Sequence, residues 1–430
     1  MQPTISASES KFTSYQISVI VLLALTQFSV VLDFMVMSPL GEMLMKSMDL
    51  KPKQFGIVVA AYAISAGFSG LLTAGFADRF DRKKLLQFFY IGFILGTLCC
   101  ALATNYEMLV AARIVTGIFG GVIGGISMAI ATDLFPIHQR GRVIGFMQMG
   151  FGASQVLGIP ISLYLANVWD WEAPFYLIVG FATLVWTLIL IIMKPVTKHL
   201  EEKNERNAFK HLWTTLKNKN YRVGFFATAL LSLGGFMMMP WGSAYAVNNL
   251  NVSVEELPWL FMVAGVSTLI IMPIVGKLSD RFDKGNLFAI ASIWMIAVVL
   301  IYTNLPPIPL WGIMIFNVSM MIGIMSRMVP SMALVSGLPQ MHDRGAFMSI
   351  NSSLQQLAGG IAAGIGGLIV VQKTELSPLE NFNIVGIVTS AFCLIGIWAI
   401  YRVSKFVKAK PAEIYPKQEQ PSSEILDEII

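Results

Sequence analysis

Charge is scarce in this sequence. Of its 430 residues 13% are Asp, Glu, Lys or Arg, and 55% are hydrophobic. A typical soluble domain carries about 25% charged residues. So little polar surface cannot keep a chain of this size in water, and lipid is its expected solvent. Cysteine is scarce too. Cys99, Cys100 and Cys393 all fall inside apolar runs, which excludes a small secreted disulfide framework. The histidines, His138, His199, His211 and His342, all lie between the runs, so no intramembrane histidine relay is available. No Gly-Lys-Ser/Thr phosphate loop follows a strand, which disfavours an ATP-driven pump. No metal-ligand cluster or nucleophile–base pair falls within the runs, so an intramembrane enzyme is the least expected reading and no cofactor is expected. No removable signal peptide is expected: a polar opening of 15 residues leads into a run longer than a signal core, without a small-residue cleavage pattern.

Long apolar runs are what the sequence has in abundance. Twelve lie near 17–39, 54–76, 84–104, 107–134, 141–167, 173–194, 221–248, 257–279, 285–304, 309–336, 344–371 and 382–403. A membrane-spanning helix needs roughly 20 mainly apolar residues. Barrel strands would alternate and last about 10 residues, so the expected class is an all-α membrane protein. With the N-terminus in the cytoplasm, 24 of the 30 Lys and Arg fall in cytoplasmic segments. The positive-inside rule then places both termini there, in a bacterial inner membrane. The net charge of +5 reads as this orientation signal, and nucleic acid is not an expected partner. Residues 195–220 form a long polar connector in which Phe209, Leu212, Trp213 and Leu216 recur at helical spacing, predicting a short helix on the membrane face. Five segments follow: a tail at 1–15, a bundle at 16–194, the connector, a bundle at 221–404 and a disordered tail at 405–430.

One charged loop occurs twice. Gly75-Phe76-Ala77-Asp78-Arg79-Phe80-Asp81-Arg82-Lys83-Lys84 returns about 201 residues later as Gly276-Lys277-Leu278-Ser279-Asp280-Arg281-Phe282-Asp283-Lys284. An Arg-Gly pair after the fourth run, Arg140-Gly141, returns at an offset of 204 as Arg344-Gly345. The chain is one six-helix unit used twice. These loops resemble those of the major facilitator superfamily over roughly residues 15–404. The resemblance implies two pseudo-symmetric six-helix bundles around a central cavity, alternating access, and a gating role for Gly75, Asp78, Arg79 and Arg82, with Asp133 pairing to Arg82 and Asp280 and Arg281 as the second copy. Gly158-Ile159-Pro160 in the fifth run resembles the Gly-Pro region of proton-driven exporters, with Ile159 intervening; its form is similar to twelve-helix drug and sugar efflux permeases.

Asp33 is the one acid well inside a helix. A charge there costs about 2.5–3.5 kcal/mol on insertion scales, so it needs a partner, a water cavity or a proton. It lies about six residues, roughly 9 Å, below the outer edge of the first helix, and Arg113 lies at a similar depth in the fourth. The resemblance places both helices beside the cavity, so the two are expected to face each other there. Burial disfavours the ionised carboxyl and Arg113 favours it; a group so balanced can exchange a proton against a substrate. The bland alternative is a fixed structural ion pair. Arg327 in the tenth helix shares a depth with Asn351 and Gln355 in the eleventh, a candidate polar wall for an anionic or carbonyl-bearing group; the alternative is an Arg reaching the inner headgroups. Trp241 and Tyr245, beside Met237, Met238 and Met239, offer an adaptable aromatic wall, and Gln148 and Gln155 complete the candidate cavity. Glycines crowd helices four, five and eleven, where they suit close packing. The expected function is proton-coupled efflux of a small organic solute, drug-like or sugar-like, by a monomer that draws on the proton gradient. The alternatives are proton-coupled uptake of a nutrient or lipid-derived solute, and a non-transporting membrane sensor or scaffold.

Overall fold

The computed structural model describes residues 12–73, 77–197, 200, 208–340, 343–374 and 377–409. Gly75 and most of both tails lie outside the described residues, as does the side chain of Asp78. Twelve long helical spans account for nearly all of the rest: α1 (Ser14–Val36), α2 (Pro52–Thr73), α3 (Arg82–Ala101), α4 (Tyr106–Leu134), α5 (Arg142–Val168), α6 (Ala173–Ile192), α7 (Lys219–Asn248), α8 (Val254–Arg281), α9 (Lys284–Tyr302), α10 (Leu310–Ser336), α11 (Arg344–Ile369) and α12 (Phe382–Ala409). Eleven are long and apolar enough to cross a membrane. The exception, α11, is equally long but carries Asn351, Ser352, Ser353, Gln355 and Gln356 together. A connector helix, Ala208–Lys217, leads into the second half.

Local sequence sets the ends and breaks of these helices. Thr13 and Gln16 form a capping box at the start of α1, and Asn105 accepts from the Met108 N–H at the start of α4. Within α5, Pro160 has no N–H to give the carbonyl four residues earlier, and the ladder widens into a π turn over Ser154–Gly158. Within α7 the helix stops at Phe236, passes through the 3-10 turn Met239–Trp241 around Pro240, and resumes over Gly242–Asn248. The last helix continues to Ala409, into the segment expected to be tail. An ion pair between Lys408 and Asp283 at 2.5 Å holds that extension against the start of α9.

Twelve alternating spans bring the start of α1 and the end of α12, among the described residues, to one side, here called the terminal face. Close helix contacts come where glycine removes the side chain. A Cβ added at Gly117 would meet the Tyr62 carbonyl oxygen at 2.4 Å, and one at Gly121 the Ala66 backbone at 2.5 Å, so α4 lies directly against α2. The same device joins the halves. On α2 and α11, a Cβ at Gly56 would meet the Ala363 carbonyl oxygen at 3.0 Å, and one at Gly360 the Ala60 carbonyl oxygen at 3.1 Å. On α5 and α8, a Cβ at Gly265 would meet the Gln155 carbonyl oxygen at 2.8 Å.

At the opposite face the halves are bonded together. The Ser38 hydroxyl donates to the Met239 carbonyl, and Ser243 donates to the Ser38 carbonyl at 2.9 Å. Asn248 Nδ2 donates to Glu42 Oε2 at 2.6 Å, and Asn167 Nδ2 to the Val254 carbonyl at 3.1 Å. The described residues are therefore closed together on the side opposite the terminal face.

Candidate functional site

Asp33 enters the interior of the first half because Leu32, beside it, packs onto Gly158: a Cβ there would meet Leu32 Cδ1 at 2.6 Å. Asp33, Thr97 and Arg113 are all fully buried. Arg113 Nη1 donates to Asp33 Oδ2 at 2.9 Å, and the Thr97 hydroxyl donates to Asp33 Oδ1 at 3.1 Å. The guanidinium lies 4.4 Å from the centre of the Tyr62 ring. Four helices thus meet at one charge pair: α1 supplies the acid, α4 the base, α3 a neutral donor and α2 an aromatic face. Arg113 Nε is buried without a hydrogen-bond partner. As an ion pair the cluster is neutral. Removing the charge of Asp33 would leave the buried guanidinium without its counter-charge, which is strongly destabilising in a low-dielectric core. The next residue on α1 reaches toward the other half. Phe34 contacts the Tyr62 ring at 5.3 Å and the Phe236 ring of α7 at 5.8 Å.

The expected polar wall of the second half is divided. Asn351 accepts a 2.7 Å hydrogen bond from Thr228 of α7, and Gln355 is exposed one turn further on. Arg327 does not join them. It turns the other way, where Nε donates to Ser292 of α9 at 3.1 Å and the guanidinium lies 5.4 Å from the Phe288 ring. Shared depth does not imply a shared face, because α10 presents Arg327 to α9 and α12. Trp241 and Tyr245 also depart from expectation. The break at Pro240 rotates the end of α7, so Tyr245 stacks on Phe382 at 4.1 Å and donates to the Tyr302 carbonyl. Trp241 is wedged against Phe55 and Gly56 in the closed opposite face. Both are buried and neither lines an open chamber. Gln148 is exposed near the terminal face. Gln155 sits in the π turn of α5, half-buried, with Nε2 3.8 Å from Met35 Sδ and Oε1 buried without a partner.

The sequence profile of the Major Facilitator Superfamily matches residues 23–363 and again 224–426. The chain belongs to the Major Facilitator Superfamily. It is a multi-pass membrane protein of that superfamily. It is 39% identical over 124 residues to a triacylglyceride transporter of Mycolicibacterium hassiacum, covering 28% of this chain and 22% of that one. It is 26% identical over 159 residues to a probable sugar efflux transporter of Helicobacter pylori, covering 37% and 40%. These alignments span less than half of each relative. Its fold is similar to the crystal structure of a D-xylose–proton symporter, with a TM-score of 0.76 at 18% identity over 92% of this chain and all of that one.

Within this superfamily fold the two repeated loops do visible structural work. Arg82 Nε meets Asp133 Oδ2 at 3.2 Å, joining the terminal-face ends of α3 and α4 inside the first half. Arg79 is exposed. Asp280 and Arg281 are also exposed and form no ion pair among the described residues. The second aspartate of each copy, absent from the expected site, is a helix cap. Asp81 Oδ1 accepts from the Lys83 N–H at 2.8 Å and the Val196 N–H at 3.0 Å. Asp283 Oδ1 accepts from the Asn286 N–H at 3.0 Å. An Asp directly before an amphipathic or apolar run is a readable N-cap signal, and it recurs here in both halves. Pro160 forms the π turn, and Gly158 seats α5 on α1 beside Asp33.

Proposed function

We propose that this transporter exports a small organic solute in exchange for protons, with Asp33 as the proton carrier and the terminal face in the cytoplasm of a bacterial inner membrane. The observation that supports this reading is the buried Asp33–Arg113 pair beside Phe34, at the contact between the halves. A proton on Asp33 frees Arg113, and the charge change sits one residue from a ring that touches the other half. The proton gradient then biases which face is open, since only a differential effect on the two states shifts their populations. The asymmetry of cations between the two sides supports the orientation. The H. pylori relative, which carries the name of a sugar efflux transporter, supports the direction.

The test uses purified protein in proteoliposomes under an imposed pH gradient, with drugs, sugars, siderophores and lysolipids as candidate solutes and proton flux as the readout. Asp33→Asn is expected to abolish gradient-driven flux while keeping solute–solute counterflow, which needs no proton. Full gradient-driven flux in that variant would refute the reading.

A further inference from the structure

Arg327 presents the problem that Asn351 and Asp33 do not: a buried positive charge with no negative partner. It is 3% exposed, deep in α10. One nitrogen, Nε, donates to Ser292 Oγ at 3.1 Å, while Nη2 is buried with no hydrogen-bond partner. In the second half every described acid, Glu255, Glu256, Asp280, Asp283, Asp343 and Glu380, lies within a turn of a helix end or in a loop. No described carboxylate approaches Arg327 within ion-pair distance. The first half solves the same problem by placing Asp33 against Arg113.

A buried ion left alone is costly, and the same low dielectric strengthens its attraction to any anion that reaches it. The surroundings suit such a guest. The Ser292 hydroxyl accepts from Nε, and its own proton has no described acceptor. Gly396 of α12 brings no side chain to the spot: a Cβ added there would lie 3.9 Å from Nη2 and 3.8 Å from the Phe288 ring. Cys393, one turn earlier on α12, is fully buried and adds a weak S–H donor nearby.

We propose that Arg327 Nη2 and the Ser292 hydroxyl hold one compact monovalent anionic group, buried among α9, α10 and α12. Two sources share that chemistry, a halide ion and the carboxylate of a small solute. The site is separate from the proton step, since Asp33 and Arg113 are neutral as a pair and lie in the other half.

The experiment follows the thermal unfolding midpoint of the purified full-length protein at fixed pH. Sodium chloride, sodium acetate and sodium benzoate are each titrated against sodium sulfate at matched ionic strength. A saturable upward shift is expected with at least one of the three, and its loss in Arg327→Gln. A rise with chloride alone assigns an inorganic ion; a rise with acetate or benzoate alone assigns a carboxylate. Gly396→Val, which fills the space before Nη2 and keeps the charge, is expected to lose the same shift. No saturable shift in the wild-type protein overturns the proposal, as does an undiminished shift in Arg327→Gln. Should Arg327→Gln fail to fold, wild-type crystals grown in bromide decide a halide: an anomalous peak within hydrogen-bonding distance of Nη2 supports it. If chloride gave the shift, a bromide peak elsewhere with none at Nη2 overturns it.

Discussion

Arg113 has a choice of chemistry that lysine lacks. Its flat guanidinium donates edge-on to Asp33 and lies on the face of Tyr62 at the same time. A lysine at 113 is a point charge on a shorter reach and cannot do both. The ring, and not its hydroxyl, is what the guanidinium touches. Tyr62→Phe is therefore expected to transport and unfold like the wild type. Tyr62→Leu removes a desolvated cation–π contact worth about 2 kcal/mol, which converts to roughly a thirtyfold change in a two-state equilibrium. Unfolding midpoints and gradient-driven flux on the two variants check this; equal losses in both would place the contribution in the hydroxyl instead. Thr97→Val removes the second donor to Asp33 and leaves Oδ1 buried without its partner, at an expected cost of about 1–3 kcal/mol, read in the same unfolding assay.

At the scale of helices, glycines sort into two kinds by what they touch. Gly117 faces α2 within the first half, with the Tyr62 carbonyl oxygen 2.4 Å from an added Cβ. Gly367 faces α2 from the second half, with Gly56 Cα at 3.2 Å. Valine at 117 has backbone in its way and is expected to unfold the first bundle, lowering the midpoint in every state. Valine at 367 obstructs only the joint between bundles, so the expected result is a shift toward opening at the opposite face. Spin labels at Lys51→Cys and Lys373→Cys, one on each side of that joint, report it as a longer distance. An unchanged distance distribution would show that the joint yields without opening. Caps act at this scale as well. The hydrogen bond from Lys408 holds the Asp283 carboxyl below the ordinary carboxylate range. A depressed native value contributes stability above the unfolded value of about 3.9, and that contribution is lost as pH falls through the native value. Asp283 is partly exposed and sits at a helix end, so the effect is local: protease nicking near Ala409 is expected to rise in strong acid, and in Asp283→Ala at neutral pH.

Much of this was legible beforehand, for physical reasons. Hydrocarbon demands long apolar runs, so span number and the two-fold repeat are written in composition. Depth along a helix follows from counting residues, which is why Asp33 and Arg113 can be matched from their positions alone. Rotation about the helix axis is not written so plainly. Arg327 shares a depth with Asn351 yet points to α9, because a helix apolar on all sides gives no signal for which side faces the partner bundle. The break in α7 is a further case: Pro240 marks it, but the turn it produces decides that Tyr245 enters the core. The weak hydropathy of α11, by contrast, is a positive signal, since polar residues on a span are tolerated only away from lipid.

For the whole molecule, alternating access requires that the closure at the opposite face be breakable. Its bonds are few and specific, and one of them is charged: Asn248 Nδ2 donates to Glu42 Oε2 at 2.6 Å across the halves, while Lys46 holds the other carboxylate oxygen at 2.7 Å. Glu42 is almost wholly buried, so this bond is little screened by water. A hydrogen bond to a charged group contributes about 1.5–3 kcal/mol, enough to shift a two-state equilibrium by roughly ten- to a hundredfold. Asn248→Asp replaces the donor with a second carboxylate and turns attraction into repulsion. The substitution lies away from the Asp33–Arg113 pair, where the proton step is proposed, so solute binding and expression should survive while the closed opposite face becomes the minor state. The Lys51–Lys373 spin-label pair should then report a new long-distance population in Asn248→Asp that shrinks at low pH, where the introduced carboxyl can protonate and donate to Glu42 again. A long-distance population that ignores pH would mean the substitution acts by distorting α7, and the closure would have to rest on Ser38, Ser243 and the glycine joint instead.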